Sequence, residues 1–127
     1  MEDFARRYGE TWQAWDAAGF LALFHEEIVY IAHPEEIVRG IDELARYFRK
    51  EQETQGAAVR VRIGRPTVQG SRVIAEFWTT SVGQDPPWTC PGCLIAELDP
   101  VDGLCRRFRE YWFELEGVHE PFPGWGA

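Results

Sequence analysis

The chain is short of positive charge: 13 lysines and arginines stand against 21 aspartates and glutamates, for a formal net charge of −8. Nucleic acid and anionic membrane surfaces both require a basic footprint, so neither is expected as a partner. The excess of acid favours solubility. Long apolar runs are missing too, and none approaches the roughly 18 residues of a membrane-spanning helix. The opening, Met1-Glu-Asp-Phe-Ala-Arg-Arg-Tyr8, has an acidic front and no apolar segment, so it does not read as a secretory leader. Cysteine is scarce: three residues are an odd number and too few for a disulfide framework. A cytoplasmic setting is expected. There are no internal repeats, low-complexity segments or linkers. The 127 residues suit a single domain, 1–127.

Aromatic residues are plentiful, with six Trp, eight Phe and four Tyr. Each removes a large area from water when buried. A small domain so supplied can fill a core and still line a cavity.

Along the chain, Phe4, Tyr8, Trp12 and Trp15 recur at helical spacing and predict a first helix. Ala17-Ala18-Gly19 interrupts it, and Phe20 to Phe24 read as a short second helix. Ile28 to His33 is a β-branched and aromatic run closed by Pro34, which predicts a strand. Its alternation groups Val29, Ile31 and His33 on one face. After Gly40 a third helix carries its apolar stripe at Ile41, Leu44, Ala45 and Phe48, with Asp42 and Glu43 in the first turn as the helix dipole favours. Beyond residue 57 the pattern is strand and turn: Val59 to Ile63, Val73 to Thr80, Cys93 to Leu98 and Leu104 to Phe113. Helices first and antiparallel strands afterwards is an α+β plan. The tail Pro121-Phe-Pro-Gly-Trp-Gly126 fits no regular element and is either loose or packed as a flap.

The order of these elements resembles the nuclear transport factor 2-like superfamily, in particular its SnoaL-like branch. The matching phrases are Trp12-Gln-Ala-Trp-Asp-Ala-Ala-Gly19, Leu23-Phe-His-Glu-Glu-Ile-Val29, Gly40-Ile-Asp-Glu-Leu-Ala-Arg-Tyr47, Asp99-Pro-Val-Asp-Gly103 and Arg109-Glu-Tyr-Trp112. The resemblance implies a cone-shaped α+β barrel, with three N-terminal helices packed on a curved antiparallel sheet. It also implies a pocket open at one end, a small-molecule ligand and commonly a homodimer through the outer sheet face. Members include ketosteroid isomerases, dehydratases, polyketide cyclases, epoxide hydrolases and many non-enzymes. The isomerase's general base, a carboxylate before a proline, corresponds here to His33 before Pro34. Its two oxyanion donors fall near Thr11 and Leu94. Leucine donates no hydrogen bond, so ketosteroid isomerisation is not expected. The pocket tryptophan of the last strand corresponds to Trp112.

His33 is the titratable group of most interest. If Val29 and Ile31 point inward, so does His33. Glu110 lies two residues before Trp112 and shares its face. His33 and Glu110 thus form a candidate acid/base pair, and equally each can be a hydrogen-bonded or ion-paired structural residue. The expected pocket lining is Thr11, Trp15, Ile31, Tyr47, Phe77, Leu94, Phe108 and Trp112, suited to an apolar or aromatic metabolite with one polar end. No metal or cofactor is expected, since one histidine and one glutamate are too few ligands. Cys90-Pro-Gly-Cys93 has redox-motif spacing but reads as the start of a strand without a βαβ context. Incidental cysteines and a reversible disulfide both fit it. Ile74, Glu76, Trp78 and Thr80 share a strand face opposite Phe77. That row is expected either to face a partner subunit or to be covered by another part of the chain.

Overall fold

The computed structural model describes residues 1–55 and 58–127. Helix α1 (Asp3–Ala14) buries Phe4, Ala5 and Tyr8 on one face. It ends at Trp15, whose φ of 51° is left-handed and whose N–H reaches the carbonyl of Trp12. A tryptophan there costs on the order of 1–2 kcal/mol of backbone strain. Helix α2 (Ala17–Leu21) is capped by Asp16, which accepts a hydrogen bond from the Gly19 N–H at 3.0 Å.

Strand β1 (Phe24–His33) then begins four residues earlier than its apolar run suggests. The expected second helix therefore stops short of Phe24. The Cys105 N–H bonds the Leu23 carbonyl, and Phe24 pairs with Cys105, which draws this stretch into the sheet. A short strand β2 (Glu36–Arg39), unforeseen in the sequence, turns back on β1 and leads through Gly40 into α3 (Ile41–Gln55). The remaining strands are β3 (Val59–Ile63), β4 (Thr67–Gln69), β5 (Arg72–Ser81), β6 (Trp88–Leu98), β7 (Cys105–Trp112) and β8 (Leu115–Glu116).

The fold is α+β, three helices against one curved, unclosed sheet of order β2-β1-β7-β6-β5-β3. Strand β4 pairs with β5, and β8 with β6. The sheet is not wholly antiparallel as expected. Strand β1 pairs with β7 in parallel, Tyr30 level with Phe108, because almost the whole domain, rather than a hairpin, connects them. Aromatic rings fill the space between helices and sheet. Tyr30 stacks on Phe108 at 4.6 Å, and Phe20 on Phe48 at 4.6 Å.

The C-terminal segment packs as a flap over the outer face of β5. The Trp78 indole N–H donates to the His119 carbonyl at 2.8 Å, and Trp125 meets the Trp78 ring edge-on at 5.9 Å. Arg62 lies 5.5 Å from the Trp125 ring centre, and the Arg65 N–H donates to the Gly126 carbonyl. Trp78 is consequently only 8% exposed. Of the two readings of the row Ile74, Glu76, Trp78 and Thr80, cover by the chain itself holds at its centre: the tail lies on Trp78, Ile74 is half-buried beside β4, and Thr80 is buried.

Candidate functional site

Six short series of side chains converge on one cavity of about 230 Å³. Each series follows the period of its element. Helix α1 sends Tyr8, Trp12 and Trp15 at steps of four and three, and α3 sends Tyr47, Glu51 and Gln55 at steps of four. The strands contribute at steps of two. Strand β3 gives Val59 and Val61, β5 gives Phe77 and Thr79, and β6 gives Trp88 and Cys90. Glu110 and Trp112 come from β7, with Glu114 just beyond it, and Glu36 comes from β2.

Glu110 is the buried polar group of this wall. Its Oε2 accepts a hydrogen bond from the Tyr8 hydroxyl at 2.9 Å, and the Tyr8 oxygen lies 2.8 Å from that of Tyr30. A tyrosine has one hydroxyl proton. When Tyr8 gives its proton to Glu110, Tyr30 must donate to Tyr8. Burial pushes the Glu110 carboxyl up to about 8, against the pull of the Tyr8 hydrogen bond, and the charge of Glu51 adds to the rise. Burial likewise raises Tyr8, Tyr30 and Tyr47, which stay neutral phenols. The Cys90 thiol is pushed up to about 12, first by burial and then by Glu110 and Glu114, so it is a poor nucleophile at neutral pH. Half-buried Glu51 is raised by burial and by the charges of Glu36 and Glu114, while it accepts a hydrogen bond from Gln55 at 2.8 Å.

Of the residues singled out in the sequence, Trp15, Tyr47, Phe77, Glu110 and Trp112 border the cavity. Others do not. His33 is exposed and lies outside the lining. Its Nδ1 accepts from the Glu35 N–H at 3.4 Å, and its ring stands 5.5 Å from Trp112. The inward set of β1 is Ile28, Tyr30 and Ala32, the opposite alternation to the one expected, and Ile31 leaves the pocket with His33. The His33–Glu110 acid/base pair is therefore not assembled. Leu94 and Phe108 are fully buried beneath the cavity as packed core. Thr11 turns its hydroxyl back to the Tyr8 carbonyl at 2.8 Å and packs near Gly19.

The sequence reading passed over Tyr8, Trp12, Glu51, Gln55, Trp88 and Cys90. Four had a usable signal: Tyr8 and Trp12 share the helical face that ends at Trp15, and Glu51 and Gln55 follow Tyr47 at i+4 and i+8, a second face of α3 beside the apolar stripe. The motif Cys90-Pro-Gly-Cys93 lies inside β6 rather than at its start. Cys90 faces the cavity, whereas Cys93 pairs across to the exposed Glu76, on the other face. All three thiols are free.

This arrangement, helices over a curved sheet with a cavity between them, has a counterpart in sequence. The profile of the SnoaL-like domain family matches residues 5–108. The chain belongs to that family. No curated protein matches it in sequence. Solved structures share its fold at low identity. A Mycobacterium tuberculosis LEH-like epoxide hydrolase is 20% identical with a TM-score of 0.72, covering 88% of this chain and 81% of its own. A Kribbella flavida protein named as a ketosteroid isomerase is 22% identical with a TM-score of 0.71, covering 97% and 82%. A ketosteroid isomerase-like fold from Catenulispora acidiphila, in complex with trimethylamine, is 14% identical with a TM-score of 0.72, covering 86% and 84%. Among the described residues no helix of this SnoaL-like domain is long and apolar enough to cross a membrane.

Proposed function

We propose that this SnoaL-like domain binds a small molecule in the cavity of its cone, between α1, α3 and the inner face of the sheet. One observation carries the reading: aromatic rings surround about 230 Å³ of open space that ends on a buried carboxyl. Side chains that serve packing alone close up to crystal-like density. An apolar wall with few polar groups is the usual make-up of a ligand site. The volume lies below the roughly 300 Å³ at which pockets for drug-sized molecules begin, so the ligand is small. The trimethylamine complex of the Catenulispora neighbour is consistent with a small ligand in a domain of this fold.

The experiment is to block the space. Thr79→Phe places a ring among the lining residues from a strand position that tolerates aromatics. Isothermal titration with small aromatic probes should give binding to the natural chain and at least tenfold weaker binding to the variant, with both folded by circular dichroism. Equal affinity in the two chains would refute the cavity as the site.

A second reading has its own observation. A carboxyl that titrates near neutrality beside a cavity suits proton transfer, as in an isomerase, dehydratase or cyclase. It requires Glu110 alone, oriented by Tyr8, and makes no use of His33. Under it Glu110→Gln removes turnover and keeps binding. Turnover retained by that variant would exclude it.

A further inference from the structure

The charge of the cavity wall narrows the class of molecule it takes. Four carboxyl groups border it: Glu110 at the buried end, and Glu36, Glu51 and Glu114. No lysine, arginine or histidine is among the lining residues. Glu51 feels the charges of both Glu36 and Glu114, so the acidic groups stand close enough to repel one another. An anionic ligand would meet that repulsion with no cation among the lining residues to offset it; Lys50, which partly offsets the charge around Glu51, lies outside the lining. A neutral apolar ligand would displace water from ionised carboxylates and return nothing to them. A metal ion needs several ligands around one point, and among the described residues no three acidic, imidazole or thiol groups gather so. Much of the remaining wall is aromatic, including Trp12, Trp15, Tyr47, Phe77, Trp88 and Trp112. The faces of such rings are negative and attract organic cations most strongly where water is excluded.

We infer that the cavity binds an organic ammonium ion, its alkyl or aryl groups among the tryptophan and tyrosine rings and its charge opposite Glu110 and the Glu36, Glu51 and Glu114 carboxylates. This rests on the pocket reading above and names its ligand class.

The inference has a pH signature. Glu110 is faced by Tyr8 from α1, Tyr30 from β1, Tyr47 and Glu51 from α3, and Cys90 from β6, and Glu51 in turn feels Glu36, Lys50 and Glu114. In the empty pocket Glu110 keeps its proton up to about pH 8. A bound cation favours the ionised carboxylate, so below pH 8 binding expels a proton and tightens as pH rises. The phenols and the Cys90 thiol stay protonated in this range. A neutral ligand whose oxygen accepts the Glu110 proton would show the reverse, weakening as pH passes 8.

The test compares phenyltrimethylammonium with tert-butylbenzene, which has the same shape without the charge. Both are titrated into the full chain, with tryptophan fluorescence and calorimetry as readouts, between pH 6 and 9. The ammonium ion should bind at least tenfold more tightly, gaining up to about tenfold per pH unit below pH 8. Trp15→Gly removes a ring and relieves the left-handed backbone; with folding checked by circular dichroism, ammonium affinity should fall about tenfold. Glu110→Gln should flatten the pH profile. If tert-butylbenzene binds as well as or better than the cation, the inference fails and the pocket reading stands. If neither probe binds, both fail. Ammonium binding unchanged by Trp15→Gly and Thr79→Phe places the ion elsewhere and also overturns the inference.

Discussion

Glu110 costs the fold stability wherever the unfolded chain's carboxyl is ionised, because burial disfavours the charged form in the folded chain. A glutamate free in the unfolded chain titrates near 4.3, and the buried one near 8. Its contribution is therefore fully present below about pH 4.3, is lost steadily as pH rises from there to about 8, and is constant above. Glu110→Gln keeps the shape and an acceptor for the Tyr8 hydroxyl but cannot ionise. Its melting temperature relative to the natural chain should rise between pH 5 and pH 8.5, by an amount on the order of several degrees. An identical difference at both pH values would show that Glu110 titrates normally. The inward placement of Glu110 was legible, because Phe108, Glu110 and Trp112 alternate and the first of them must be core. That of His33 was not. Both alternations of Ile28 to His33 are apolar, since Val29 and Ile31 are themselves half-buried, so period two cannot choose between them. The packing of the Tyr30 ring on Phe108 decides the face, and that contact joins residues 78 positions apart.

Among the elements, the tail and β6 depart furthest from their appearance in sequence. Pro121 to Gly126 has no regular pattern, yet its tryptophan is held by the edge-on Trp78 ring and the Arg62 guanidinium. Trp125→Ala should lower stability by about 1–2 kcal/mol, measured by urea denaturation, and should expose Trp78 to acrylamide quenching. Unchanged quenching would mean that the flap does not shelter Trp78. In β6, a Cβ on Gly92 would stand 2.5 Å from the Tyr111 carbonyl oxygen and closer still to the Phe77 ring. Glycine is there for close approach, which lets Phe77 lean across the strand as a wall of the cavity. Neighbouring Pro91 falls where β7 ends, its carbonyl taking the Phe113 N–H. The spacing of Cys90 and Cys93 is thus a by-product of a Pro-Gly step that shapes the sheet. A motif search weighs the cysteines and has no view of the two residues between them.

At the scale of the whole molecule, the α+β class and most elements followed from local patterns: α1 and α3 from helical spacing, β3, β5 and β7 from alternation. The parallel pairing of β1 with β7 did not, because strand partners far apart in sequence leave no local trace. That pairing also has a bearing on how the chain is made. Synthesis runs from the N-terminus, so α1 is made well before β7. Part of its aromatic face has to wait. Tyr8 lies 4.9 Å from Phe108 and Phe4 lies 6.4 Å from it, and the free edge of β1 is covered only by residues 105 to 109. Until β7 is in place, Phe4 and Tyr8 lack Phe108 and the strand has no neighbour on that side, while Tyr8 and Trp12 can already meet Phe20 and Phe48. The sheet is joined into one body only when β7 enters between β1 and β6.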